Sequence, residues 1–375
     1  MAGIYFHIPF CRRRCTYCDF YTQVAPKLKP EFINSAIKEL EVRKDYLEDE
    51  IIDTVYFGGG TPSILSINDF ERIFETINRF HTLSIDAEIT FEANPDDLSI
   101  DYLKKIRQLP FNRISIGIQS FIDRDLIKIN RRHTGIQAIE AVKKAQESGF
   151  SNISIDLIYG LPNQSMEEWC SNLTTALQLD VQHISIYGLT FEKGTKLWQE
   201  RIQGVSMNLD DEIMNNMYLK TLDEMSLHGF EAYEISNFSK PGYRSRHNSS
   251  YWKGQKYLGI GPSAHSYDGD SRQWNISNTE KYNHLIKSEL PFFEIERLTL
   301  QSKYNDYIMV SIRTIEGIDL SKIEFEFGEE YKNYFLKSIQ NHINNCLVKV
   351  KNNYYSLTTN GILITNTVLI DLMKV

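Results

Sequence analysis

Six short runs rich in Ile, Val, Phe and Tyr recur in the first half of the chain, each closing on Gly, Pro or a polar residue. They are residues 3–9 (GIYFHIP), 54–60 (TVYFGGG), 87–95 (AEITFEANP), 113–120 (RISIGIQS), 152–162 (NISIDLIYGLP) and 183–190 (HISIYGLT). Runs of this length and composition read as β-strands. Helical spacing fills the gaps over residues 30–47, 68–80, 135–148 and 166–179. Phe32, Ile33, Ala36, Ile37 and Leu40 share one face of the first, and Asn68, Asp69 and Ser165 stand at N-cap or first-turn positions. Alternation of strand and helix demands parallel strands joined by right-handed crossovers. Six units are too few for a closed eight-stranded barrel. The expected fold is therefore α/β, a partial (β/α)6 TIM-like barrel, with an open doubly wound sheet as the alternative.

Both architectures collect functional groups at the C-terminal ends of the strands. The first run leads into Cys11, Cys15 and Cys18, and the second ends in Gly58-Gly59-Gly60-Thr61-Pro62. The third carries Glu92 and Asn94, the fourth ends at Gln119 and Ser120, the fifth carries Asp156, and the sixth ends at Tyr187 and Thr190. Turn chemistry accounts for Gly, Pro and Asn at such places. It accounts less well for Glu92, Gln119 and Asp156, which lie among apolar residues.

Beyond about residue 200 the pattern changes. Residues 210–229 read as one helix, with Ile213, Met217, Leu219 and Leu222 apolar, and residues 230–270 are irregular and dense in Tyr, Ser, Gly and Asn. Helices resume over 304–313 and 329–345, followed by strand-like runs at 347–351 and 354–358 joined by Asn352-Asn353, and a last helix. The expected organisation is a partial barrel over residues 1–230, an irregular connecting segment over 231–298, and a smaller, mostly helical, winged-helix-like domain over 299–375.

Forty-one basic against forty-nine acidic residues give a net charge of −8, which argues against a duplex nucleic-acid partner. No apolar stretch approaches the ~18 residues of a membrane span. The N-terminus, MAGIYFHIPFC, lacks the charged and small-residue features of a secretory signal, so the expected location is the cytoplasm. Aromatic residues make up 12%, which suits a flat or apolar ligand as well as a large core. The five cysteines are odd in number and three fall within residues 11–18, which is no disulfide framework. Cys170 and Cys346 read as packing residues.

The clustered three are spaced C-x3-C-x2-C in HIPFCRRRCTYCDF. Thiolates are soft ligands suited to iron–sulfur clusters and zinc. A structural zinc wants four ligands, usually as two paired motifs, so zinc completed by His7 or a distant group is the weaker alternative. A [4Fe–4S] cubane held by three thiolates leaves one iron open to bind a substrate.

HIPFCRRRCTYC resembles the radical S-adenosylmethionine (SAM) superfamily. The resemblance implies that the open iron chelates the amino and carboxylate groups of SAM, and that an electron from the cluster cleaves the sulfonium to methionine and a 5′-deoxyadenosyl radical. YFHIPFC, FGGGTP, FEANP, GIQSF, NRRHT and DLIYGLP then follow in the order found in oxygen-independent coproporphyrinogen III oxidases and their haem-chaperone relatives, across about residues 3–270. Carried over residue by residue, the resemblance makes Tyr5 a SAM contact, puts Gly59, Gly60 and Thr61 at the SAM amino end, and adds Glu92. Gln119, Arg131 and Asp156 match residues that hold a second SAM in the oxidases. Tyr17, between two cluster cysteines, joins the SAM-binding set. These roles suit the residue types. A Gly-rich turn admits close backbone approach, a carboxylate such as Glu92 can bind an ammonium, Asp156 can accept from ribose hydroxyls, and Arg131 can meet a carboxylate bidentately. An internal Arg131–Asp156 ion pair is the alternative.

Two departures separate the two groups. The oxidase pattern has a fourth cysteine two residues after the third, where this chain reads Cys18-Asp19-Phe20. RHNSSYW contains H-N-x-x-Y-W, a motif typical of HemW-type haem chaperones, and the following GIGPSAHSY matches that group too. The resemblance then implies a haem chaperone that carries a [4Fe–4S] cluster with exchangeable SAM, binds haem, and passes it to an unidentified acceptor apoprotein. An electron donor is implied, and a homodimer is left open. His247 is the candidate haem ligand, Tyr251 and Trp252 the candidate ring-packing residues, and His265 a second ligand candidate. The alternatives are the oxidase itself, another radical SAM enzyme, or an iron–sulfur electron carrier; enzymatic turnover stays open. Arg12-Arg13-Arg14 reads as a solvated face, or as a contact for haem propionates or a redox partner.

Overall fold

The computed structural model describes residues 2–48, 50–205 and 210–375. Six parallel strands form its centre: β1 (Ala2–Ile8), β2 (Ile52–Gly59), β3 (Leu83–Ala93), β4 (Arg113–Gln119), β5 (Ile153–Tyr159) and β6 (His183–Gly188). Each pairs in parallel with the next, in the order of the sequence. An open doubly wound sheet requires a reversal of strand order. These six show none, and the partial barrel is the architecture. The crossovers carry α1 (Lys29–Val42), α2 (Ile67–Phe80), α3 (Ile100–Ile106), α4 (Asp123–Lys128), α5 (Gly135–Glu147) and α6 (Met166–Gln178).

Local chemistry sets the helix starts. Ser66, Thr134 and Ser165 cap α2, α5 and α6, each closing a reciprocal pair with Asp69, Gln137 or Glu168 three residues on. Inward stripes follow at helical spacing: α2 buries Phe70, Ile73, Phe74 and Ile77.

Strand alternation then divides the chemistry. Ile4, Phe6 and Ile8, Val55 and Phe57, Ile89 and Phe91, Ile114, Ile116 and Ile118, Ile153, Ile155 and Leu157, and Ile184 and Ile186 all join one core with the helices. The intervening residues are Tyr5 and His7, Thr54 and Tyr56, Thr90 and Glu92, Arg113 and Ser115, Ser154 and Asp156, and His183 and Ser185. Period-two geometry sends them to the opposite, inner face. Strands in parallel sheets are usually apolar on both faces, so this polar inner face marks the site.

The segment over 231–298 is not the irregular connection its composition suggests. After α7 (Lys196–Ile202) and α8 (Asp211–Leu227) come β7 (Glu231–Ala232), β8 (Asn237–Ser239), α9 (Arg246–Trp252), β9 (Tyr257–Ile260), β10 (His265–Tyr267), β11 (Ser271–Asn275), α10 (Thr279–Lys287) and β12 (Phe293–Arg297). These strands extend both edges of one twelve-stranded sheet, with β9 parallel to β1 and β8 antiparallel to β6. Strands of two to five residues are too short to show a period in sequence. Their partners define them. A buried network anchors the new edge: Arg43 reaches Glu39 at 3.2 Å and Gln273 at 2.8 Å, and Asn275 and Tyr282 donate to Glu39.

The remaining chain forms α11 (Leu300–Ser311), β13 (Ile318–Asp319), α12 (Leu320–Phe327), α13 (Glu329–Asn344), β14 (Val348–Lys351), β15 (Tyr354–Leu357), α14 (Thr359–Leu363) and α15 (Thr365–Leu372). Its own core includes Tyr304, Ile308, Phe335, Ile339 and Leu372. Asn352 and Asn353, at φ +50° and +66°, make the tight turn of the β14–β15 hairpin. Cys170 is half-buried in α6, but Cys346 is exposed and is not a packing residue. Among the described residues no helix is long and apolar enough to cross a membrane.

Candidate functional site

The cysteine loop leaves the end of β1 and is fastened to the end of β2. The Gly60 amide donates to Ile8 O at 2.8 Å, the Thr61 amide to Phe10 O at 2.8 Å, and the Cys11 amide to Gln23 O at 3.0 Å. Gly59 holds φ +97°, and a Cβ on Gly60 would stand 2.6 Å from the carbonyl oxygens of Ile8 and Phe10. Glycine here lets the second strand's loop lie directly on the first. Thr61 Oγ1 donates to Cys11 Sγ at 3.4 Å, and Arg131 Nη1 approaches Cys15 Sγ at 3.5 Å. Tyr17 packs on Ile129, Ile158 and Leu161. Its phenol is held protonated by burial and by Cys15.

The segment NRRHT, just after α4, clamps this loop. Asn130 Nδ2 donates to Arg14 O at 2.7 Å, and Arg131 Nη2 donates to Asn94 Oδ1 at 2.7 Å and to Gly117 O. Arg132 pairs with Asp96 and with Asp97 at 3.1 Å, and His133 Nε2 bonds Ile118 O at 3.0 Å. Arg131 thus spends its guanidinium on a sulfur, an amide and a carbonyl rather than on an ion pair with Asp156.

Glu92 and Asp156 face each other across the inner face. Tyr56 OH donates to Glu92 Oε1 at 2.8 Å, and Ser115 Oγ to Asp156 Oδ1 at 3.2 Å. Burial, then repulsion from Asp156, pushes the Glu92 carboxyl up to about 7 from its ordinary 4.5. Burial raises Asp156 too. Gln119 is buried at φ +73°, where the β4–β5 register shifts, a left-handed conformation uncommon for a residue other than glycine. Tyr56 and His247 stack at 4.9 Å, Tyr5 lies beside the pair at 6.2 Å from each ring, and its hydroxyl meets His7 Nδ1 at 3.1 Å. Asn94, named at its strand end but ascribed to turn chemistry, belongs to the site, while Tyr56 and Arg113 escaped the sequence reading as site residues. A charge opening an apolar run at Arg113 was the available signal; Tyr56 offered none. Arg113 is 1% exposed, lies within electrostatic reach of Glu92, Asp156 and His247, and leaves its Nε without a partner.

The two histidines named as haem-ligand candidates differ sharply. His247, in α9, is buried with both ring nitrogens engaged: Nδ1 with Thr54 Oγ1 at 2.8 Å and Nε2 with Tyr251 OH at 2.8 Å. Burial, then the Arg113 charge, lowers its pKa to about 3. His265, on β10, is exposed and lines a cavity of about 930 Å³. Tyr251 and Trp252 line the same cavity and also separate it from a second one beside Tyr187 and Arg313.

The cysteine loop suits a [4Fe–4S] cluster. Cys11, Cys15 and Cys18 are half-buried free thiols, and each sulfur's charge opposes its neighbours'. Burial, then Cys15, pushes Cys18 up to about 12. Cationic iron removes that penalty, because a ligating thiol is deprotonated outright. Among the described residues no three His, Cys, Asp or Glu side chains are placed to hold a metal ion. A cubane takes one sulfur per iron and needs no such convergence on a single atom.

Comparison with known proteins identifies the family and the fold. Residues 5–174 match the radical SAM superfamily. The chain is 33% identical over 375 residues to the heme chaperone HemW of Bacillus subtilis, covering 98% of each chain. It is 35% identical over 367 residues to that of Lactococcus lactis, covering 97% of this chain and 95% of the relative. The structure of coproporphyrinogen III oxidase (HemN) from Escherichia coli superimposes with a TM-score of 0.85 at 22% identity, over 100% of this chain and 90% of that one. That likeness speaks for the fold. With that identity over nearly its whole length, the chain belongs to the HemW family of radical SAM proteins.

Proposed function

We propose that this protein is a haem chaperone: it binds haem, carries a [4Fe–4S] cluster with exchangeable SAM, and delivers haem to an acceptor apoprotein. The observation that carries the reading is the cysteine loop, three sulfurs held against Thr61 and Arg131, with exposed Phe20 where the oxidases have their fourth cysteine. Cys11, Cys15 and Cys18 would hold the cluster, and Gly59, Gly60 and Thr61, packed on the cysteine loop, would meet the SAM amino end beside it. When bound, the cluster supplies an electron and an open coordination site. Glu92 receives the SAM ammonium, whose charge lowers the carboxyl's raised pKa and restores the anion. Gln119, Arg131 and Asp156 orient polar groups of the same or a second SAM. Tyr5, stacked on Tyr56, closes the apolar side and excludes water. Exposed Arg12 and Arg13, beside the loop, face an electron donor.

The deciding experiment is anaerobic reconstitution followed by iron count, SAM-dependent change in the cluster EPR signal, and haemin titration. Four irons per chain, a SAM-perturbed signal and stoichiometric haem are expected. Protoporphyrinogen formed from coproporphyrinogen III with SAM and reductant makes the protein an oxidase instead. No haem uptake at micromolar concentration removes the chaperone reading.

A further inference from the structure

We infer that haem lies in the cavity between the β9–β11 edge and α11–α12, with its iron on His265 rather than on His247. The inference rests on the haem-chaperone reading and adds a place and a ligand to it. The cavity measures about 930 Å³ and is bounded on one side by the cysteine loop and on the other by the C-terminal unit. That is at the upper end of the ~300–1,000 Å³ usual for ligand sites. Phe20, Trp252, Tyr257, Tyr307 and Phe327 form aromatic walls from four separate parts of the chain. Flat rings facing one space suit a flat, apolar ligand. Lys253, Arg272, Lys303 and Lys322 also line it; Arg272 pairs with Asp306, Lys303 with Asp270 and Lys322 with Glu326, so an anionic ligand arm meets Lys253 directly and the other three by exchanging one carboxylate for another. A planar macrocycle bearing two propionates has this combination of apolar face and paired negative charge.

Iron needs a donor nitrogen with a free lone pair, and three imidazoles lie close enough to matter. His7 lines the cavity, but Nε2 is held by Tyr21 O at 2.8 Å and Nδ1 by Tyr5 OH at 3.1 Å. His247 lies behind the wall with both nitrogens engaged. His265 faces the cavity and is exposed, its ring tilted against Trp274 at 6.3 Å. His247 is then a positioning residue. It grips the Tyr251 hydroxyl, and Tyr251 stands edge-on to Tyr257 at 4.7 Å, so the histidine of H-N-x-x-Y-W stiffens the wall the haem packs on.

The test is haemin titration of the full-length, anaerobically purified protein, followed at the Soret band, for wild type, His265→Ala, His265→Cys and His247→Ala. Wild type should take up haemin stoichiometrically with a histidine-ligated spectrum. His265→Ala should weaken binding roughly tenfold or more and move the band, since a ligand bond is lost. His265→Cys should bind with a thiolate-type band, a change no structural role produces. His247→Ala should keep the wild-type band while weakening binding about threefold, since the wall loosens and the ligand bond stays. Far-UV CD melts establish that each variant folds, and should His265→Ala fold poorly, the His265→Cys spectrum decides. Wild-type bands in both His265 variants overturn the assignment, as does loss of the histidine-type band in His247→Ala alone. Failure of wild type itself to bind haemin is a different outcome, and it sinks the chaperone reading.

Discussion

On the inner face of β1–β6, hydroxyls hold Glu92 and Asp156, an amide and a carbonyl hold Arg131, and Arg113 is buried within electrostatic reach of both carboxylates. In the cavity between β9–β11 and α11–α12, aromatic rings make the walls, and charged residues such as Lys253 stand exposed. The first region stores electrostatic cost in a fixed geometry, which a charged ligand can relieve. The second, half open to solvent, stores less and offers area. Preorganised polarity suits a small zwitterion gripped at several points, and an aromatic slot suits a large flat ligand that must later be released.

The contrast can be broken most severely at the cysteine loop. Cys15→Ser should reduce the iron content of reconstituted protein to near zero, whereas Cys346→Ser, far from the loop and exposed, should leave it unchanged; iron assay and EPR measure both. Arg113→Met removes the cation that Glu92 and Asp156 share. It should lower unfolding free energy by about 3 kcal/mol in denaturant titration, because the carboxylates stay buried without compensation. Gly60→Ala forces a methyl against two carbonyl oxygens. A loss of about 2 kcal/mol is expected, along with lower cluster occupancy, since the clash displaces the cysteine loop.

A subtler probe is pH. Glu92 titrates near 7 in the folded chain and near 4.5 when unfolded, so folding favours its protonated form. The associated stability is complete below about pH 4.5 and is lost as pH rises towards 7. In cluster-free protein, Glu92→Gln should therefore match wild type at pH 4.5 and exceed it by about 2 kcal/mol at pH 8, after allowance for solvent at the half-buried carboxyl. A constant difference across that range would show the carboxyl ionised throughout. The smallest expected effect is on the aromatic side. Tyr251→Phe deletes one hydrogen bond to His247 and should cost about 1 kcal/mol while leaving the cysteine loop's iron content intact.

Much of the first region was legible in the amino-acid order. The six runs became six parallel strands, and Glu92, Gln119 and Asp156 stood out as long or charged polar side chains among apolar residues. The caps at Ser66 and Ser165 sit at the starts of α2 and α6, where local rules put them. The second region was not legible. Its walls come from the cysteine loop, α9, β9 and the C-terminal helices, and no period or motif links Phe20 to Phe327. The strands over 231–298 failed for the same reason: two to five residues acquire strand character only from a neighbour's edge.

What the chain's order determines by itself is the local chemistry: three thiols at a loop spacing, glycines where one loop crosses another, and a two-residue period separating aliphatic from polar side chains. Tertiary packing decides which of those polar groups have lone pairs to spare. His247 and His265 are the same side chain, and α9 buries one between Thr54 and Tyr251 while β10 leaves the other facing a cavity. Donor availability is set by distant hydrogen-bond partners, and those are brought together only when the sheet edges and the C-terminal unit close around the strand ends.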